Sequence, residues 1–198
     1  MPTSFYQALT LGLLAVPAVG VPAADLFNPQ WDAVGTMASH YVHGRAGAII
    51  PVSLLAMGIA STILTVRSPV GGPGRWLLGG WSAGVLVAAV APADPPGNWD
   101  RSPSMAGAMH GVAGLLAFLM LPAAAVLLSR TTVLRLAAGF LVATAITFWV
   151  FWVDVLGGPS LSLAGHTSLV GAAERLLLLG SLGWLATFAT SDRRLRDA

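Results

Sequence analysis

An all-α fold, a bundle of six transmembrane helices, is what this sequence predicts. Three observations carry that expectation: 56% of the 198 residues are hydrophobic and 9% charged, the mean hydropathy is +0.77, and the apolar residues fall into six long stretches divided by polar or Gly/Pro-rich segments. Soluble domains carry roughly 25% charged residues, and the 10 basic and 8 acidic side chains present cannot clothe a globule of this size. The same apolar excess excludes intrinsic disorder. The absence of cysteine excludes disulfide scaffolds, iron–sulfur clusters, thiolate zinc sites and cysteine nucleophiles. A pI near 9.9 implies no nucleic-acid partner, because the arginines are scattered between apolar stretches and form no basic face. The expected surroundings are membrane lipid.

A membrane helix needs about 20 mostly apolar residues. The first stretch runs from Phe5 to Ala24, the second from Ala46 to Val66 and the third, the shortest, from Trp76 to Ala91. The fourth extends from Met105 to Leu128, the fifth from Val133 to Val153 and the sixth from Thr167 to Thr190. Runs of this length, rich in alanine and leucine, suit helices better than the alternating strands of about 10 residues in a membrane barrel. The first stretch has a rival reading as a secretory signal, since Val21-Pro22-Ala23-Ala24 resembles a small-residue cleavage site. Met1 to Gln7 contains no basic residue, which favours a retained span. The six spans make a single domain covering residues 1–198.

Orientation rests on arginine alone, because there is no lysine. Arg67, Arg75, Arg130, Arg135, Arg193, Arg194 and Arg196 flank alternate ends of the spans, whereas Asp25, Asp32, Asp94, Asp100 and Asp154 share the opposite side with Arg45 and Arg101. The positive-inside rule then places both termini in the cytoplasm of a multi-pass cell-membrane protein. The longest connection, Asp25 to Arg45, contains Trp31, His40, Tyr41 and His43 and is expected to lie on the outer surface as a short interfacial helix.

Ionisable groups at membrane depth are the informative ones, since each costs about 2.5 to 3.5 kcal/mol at the bilayer centre. Glu174 and Arg175 fall about two turns into the sixth span. Sequence neighbours point about 100° apart on a helix, so each requires its own partner on another element or in a polar cavity. Asp94 closes the third span in Pro92-Ala93-Asp94-Pro95, and His110 opens the fourth. With His40, His43, Asp154 and His166, all four histidines and most of the acids collect toward the outer side. In a compact bundle these groups converge on an outward-opening polar pocket, with imidazoles and carboxylates suited to acid/base work.

Asp94, His110 and Glu174 are accordingly the candidate catalytic residues, and His40, His43, Asp154, His166 and Arg175 the candidate substrate-binding ones. His40 and His43, at i and i+3, share a helical face, but no HExxH or fixed third ligand accompanies them, so neither a metal nor a cofactor is expected. Gly71-Gly72-Pro73-Gly74 lacks the GK[ST] of a phosphate cradle and reads as a turn. Gly80 and Gly84 form one GxxxG, a spacing for close helix packing or homo-oligomerisation. The tryptophans read as packing and boundary anchors, with Trp149 and Trp152 at a belt position.

Taken together, Ser39-His40-Tyr41-Val42-His43-Gly44, Pro92-Ala93-Asp94-Pro95, His110-Gly111 and Gly171-Ala172-Ala173-Glu174-Arg175, in this order along six spans, resemble the DUF998 family of small bacterial integral membrane proteins. That resemblance implies a six-helix membrane protein without an assigned activity. A looser similarity is to membrane hydrolases related to alkaline ceramidases, which combine Ser, Asp and three His around a metal in seven helices. This chain has one span fewer and no HxxxH in its last helix. The leading expectation is a pocket binding a lipid or a small polar-headed molecule. The alternative is an intramembrane enzyme, an acid/base cyclase or hydrolase, acting on a lipid or isoprenoid.

Overall fold

The computed structural model describes residues 3–67, 71–97, 102–157, 161, 163 and 165–191. It contains α1 (Thr3–Phe27), a 3-10 helix (Ala38–His43), α2 (Ile49–Arg67), α3 (Pro73–Val90), α4 (Met105–Leu128), α5 (Thr132–Val155) and α6 (Val170–Ser191). Among the described residues the fold is all-helical, apart from one isolated bridge between Leu163 and His166. Five helices, α1, α2, α4, α5 and α6, are long and apolar enough to cross a membrane. The predicted third span is also a helix, but α3 has 18 residues and carries Arg75 and four glycines, and it does not reach that standard.

Helix boundaries follow local chemistry. Pro73 occupies the first turn of α3, where its missing N–H costs nothing, and Gly72 precedes it at φ 88°. Ser104 and Thr131 cap α4 and α5 by accepting from Gly107 N and Leu134 N. Pro17, Pro22 and Pro122 lie inside helices, as membrane helices tolerate where neighbouring groups satisfy the freed carbonyls. The sixth helix begins at Val170, so Glu174 and Arg175 sit about one turn from its start, shallower than expected.

Each helix packs on its sequence neighbours, and α1 also packs on α6, closing a ring. Arg67 at the end of α2 lies 3.7 Å from the ring of Tyr6 near the start of α1. Arg67, Arg75, Arg130 and Arg135 thus mark one end of the bundle; Asp25, Asp94, Asp154, His110, Glu174 and Arg175 mark the other, hereafter the polar end. Arg193, Arg194, Arg196, Asp100 and Arg101 lie outside the described residues.

The GxxxG motif is used within the chain. A side chain at Gly84 would lie 2.8 Å from the Ala113 carbonyl of α4, and one at Gly80 would meet the Met120 sulfur. Trp81 and Trp184 are fully buried and donate to Ser61 Oγ at 2.9 Å and Ser129 Oγ at 3.0 Å, so these two tryptophans are core. Trp152, expected in a boundary belt, stacks on Phe148 at 5.9 Å.

Gly84→Val is expected to push α3 off α4 and lower stability by about 1–3 kcal/mol, read as a fall in melting temperature in detergent. Gly79→Ala, whose new methyl would meet only Thr65 Cγ2 at an ordinary 3.5 Å, is the control expected to leave it unchanged.

Candidate functional site

The site begins with the segment between α1 and α2. Expected on the surface, it is instead inserted among the helix ends: Ala38, His40 and Tyr41 are buried. Its backbone polar groups therefore need partners inside the protein. Asn28, fully buried, closes the segment by donating to Ala24 O at 2.8 Å and Arg45 O at 3.0 Å and accepting from Arg45 N at 2.6 Å. Gly44 is required beside it, since a Cβ there would fall 2.3 Å from Asn28 Oδ1.

The first turn of α6 supplies the remaining partners. Gly171 lets the segment approach, for a Cβ there would lie 2.4 Å from Thr36 O. Ala172 N donates to Val34 O at 2.9 Å. The buried Glu174 carboxylate accepts from Ala38 N and lies in hydrogen-bonding reach of Ser39, capping N–H groups that a helix start leaves orphaned. Arg175 donates through Nε to Asp25 Oδ2 at 3.0 Å, through Nη2 to Asp25 Oδ1, and through Nη1 to Thr36 O at 2.9 Å and Gly171 O at 3.0 Å. Its guanidinium stands 5.3 Å from the Tyr41 ring, and burial pushes the Tyr41 phenol up to about 12.

Three histidines fasten the other side. His110 Nδ1 meets Ala88 O at 3.0 Å and Ala91 O at 2.8 Å, carbonyls that the end of α3 leaves without helical donors. His40 Nδ1 meets Asp94 O at 2.7 Å and His43 Nε2 meets Ala93 O at 2.6 Å. A carbonyl can only accept, so each of these nitrogens donates. Burial pulls His40 below its ordinary pKa. The Asp94 carboxylate accepts from Ser104 Oγ at 2.6 Å and Ser104 N at 3.0 Å, which hold it below the ordinary carboxylate range, and it lies over Gly107 in the first turn of α4.

Between these two fastenings the ring encloses a cavity of about 790 Å³. Its polar wall is made by Asp25, Ser39, His40, Asp94, His110, Glu174 and Arg175, and its body by apolar side chains of all six helices, among them Met57, Trp81, Leu115, Phe118, Phe148 and Leu178. Five of the eight candidate residues, Asp94, His110, Glu174, His40 and Arg175, thus share one cavity. His43, Asp154 and His166 are not among its lining. Asp154 accepts from Leu161 N at 3.0 Å, and His166 pairs with Asp32 at 2.9 Å on the exposed face. Burial works against ionisation of Asp32, but His166 together with the N–H groups of Val34 and Gly35 outweighs it and keeps that carboxyl low. No group of three or more metal-ligating side chains stands together among the described residues.

Asp25, Asn28, Ser39 and Ser104 complete the site and were not singled out from the sequence. A capping Ser before α4 is a sequence signal; Asp25 had one too, since Arg175 requires a buried counter-charge.

A family model described as "Protein of unknown function (DUF998)" matches residues 10–191. No curated protein and no solved structure matches the chain.

Arg175→Gln, which leaves Asp25 without its cation, is expected to lower stability by about 3 kcal/mol, measured by thermal unfolding in detergent, with part of the loss recovered in the Asp25→Asn, Arg175→Gln double variant. Because the folded state depresses His40, the unfolded chain takes up a proton that the folded one refuses. Stability is therefore expected to fall as pH drops below 6.5, the ordinary value, and His40→Gln to flatten the difference between melting temperatures at about pH 7.5 and about pH 5.5.

Proposed function

The chain belongs to the DUF998 family, and from the geometry of its polar end we propose that it is a multi-pass cell-membrane protein whose cavity binds a lipid or a small polar-headed molecule from the outer face. The observation that carries this reading is the cavity of about 790 Å³, within the roughly 300–1,000 Å³ of ligand pockets, apolar in its body and polar at one end. In this reading α3 crosses the membrane as a sixth span, held there by its packing between α2 and α4. The arginine-bearing end faces the cytoplasm with both termini, by the positive-inside rule.

The engagement of the two carboxyl groups favours a binder over an enzyme. Glu174 is engaged by the N–H of Ala38 and Asp94 by Ser104; a catalytic acid needs its carboxyl turned to a substrate atom. Glu174 and Arg175 in this view shape the wall, and His40 and His110 reach the ligand. His43, Asp154 and His166 stabilise the loops around the mouth.

Native mass spectrometry of the intact protein released from mild detergent tests the reading. Wild type is expected to carry a discrete non-covalent adduct, lost in Gly114→Phe. Gly114 lines the cavity, and a Cβ there meets nothing within 4 Å, so the ring fills the space without a backbone clash. Bare wild-type protein, or an adduct that survives Gly114→Phe, would refute it.

A further inference from the structure

The hydrogen-bonding inventory of the cavity wall narrows the ligand to one class of head group, an inference that rests on the binding role proposed above. His110 lines the cavity, and its Nδ1 is committed as a donor to Ala88 O and Ala91 O. In the neutral ring the other nitrogen, Nε2, is then an acceptor, and it has no partner among the described residues. Arg175 is the only arginine lining the cavity among the described residues. Four of its five N–H groups are directed to Asp25, Thr36 O and Gly171 O, and Asp25 matches its positive charge. Asp94 adds a carboxylate that forms no ion pair among the described residues. An anionic head would meet this wall with no free cation to receive it, and desolvating an unpaired charge is costly. A head that donates hydrogen bonds meets acceptors.

The shape sets the rest of the ligand. The cavity reaches the lipid-facing surface of the bundle at Val112 of α4 and Leu156 just after α5, which line it while 59% and 65% exposed. It does so again at Leu179 of α6, 58% exposed. On α4 the face toward the cavity is opened by Gly111 and Gly114, where a Cβ would meet nothing within 4 Å. A chain therefore has a sideways path between the bilayer and the cavity, along an apolar body that ends at His110.

We propose that the cavity takes an amphiphile with a hydrocarbon or isoprenoid chain and an uncharged or cationic, hydrogen-bond-donating head, an alcohol or amine, received by His110 Nε2. Three probes of equal chain length, 1-hexadecanol, hexadecylamine and hexadecyl phosphate, are added in turn to the full-length protein in mild detergent, and the fraction carrying one probe is read by native mass spectrometry. The alcohol and amine adducts are expected to exceed the phosphate adduct by about tenfold or more, and Gly114→Phe to abolish them. His110→Asn, whose amide nitrogen takes the place of Nδ1, keeps an N–H for the two α3 carbonyls but removes the acceptor at Nε2, and is expected to lower the alcohol adduct about tenfold at an unchanged melting temperature.

Binding of the phosphate as well as or better than the alcohol, lost in Gly114→Phe, would overturn the head-group inference and leave the cavity reading standing. So would an undiminished alcohol adduct in a folded His110→Asn. If His110→Asn does not fold, the ranking of the three probes on wild type decides alone. No adduct of any probe on wild type would overturn both.

Discussion

The backbone of residues 28–45 is the constraint on which the polar end depends. The segment is held among helix ends yet has only a 3-10 helix and a few turn bonds to satisfy its own N–H and C=O groups, and a buried orphan costs about 1–3 kcal/mol. The first turn of α6 answers part of that demand with four of five successive residues. Gly171 allows contact, the Ala172 N–H serves Val34 O, Glu174 takes the Ala38 N–H, and Arg175 takes Thr36 O while binding Asp25. One short motif on one helix therefore fixes α1, the inserted segment and α6 relative to each other. That gives a physical reason for two charges at membrane depth that involves no chemistry by either of them.

The same segment reaches across to α3. Its two histidines, on one face of the 3-10 helix, hold the carbonyls of Ala93 and Asp94, while His110 holds the end of α3 from the other side. The inserted segment thus spans from α6 to the α3–α4 connection and forms part of the cavity wall. Polar groups line the cavity there because that is where loop backbone, rather than helix, forms the wall, and loop backbone brings its side-chain partners with it. A mixed polar and apolar pocket is a by-product of anchoring a loop inside a bundle, and a ligand-binding role would build on it.

Much of the fold was legible in the sequence. The helical stretches, their boundaries to within a few residues and the segregation of arginine from aspartate and histidine all followed from composition and length, because lipid imposes both. The weak apolarity of α3 was visible in its short run. What could not be read was pairing in space. Arg175 announced that it needed a partner, but Asp25, 150 residues away, is identified only once α1 and α6 close the ring. His40 and His43 at i and i+3 share a helical face without a third ligand beside them, and the geometry directs both at backbone carbonyls, acceptors that have no signature in a sequence. Trp81 and Trp184 carry the same ambiguity: a tryptophan at a membrane boundary and one donating to a buried serine are the same letter.

The connections at the two ends are unequal, and the cavity lies at the polar end. At the arginine end α4 and α5 are joined by Ser129, Arg130 and Thr131 and α2 and α3 by residues 68–72. Trp184 closes that end by donating to Ser129 in the α4–α5 turn and stacking on Phe188 at 5.0 Å. At the polar end the longer connections, residues 28–48, 91–104 and 156–169, join the helices, and the first of them folds back among the helix ends. The cavity lies beside that inserted segment, which supplies Met37, Ala38, Ser39 and His40 to its lining.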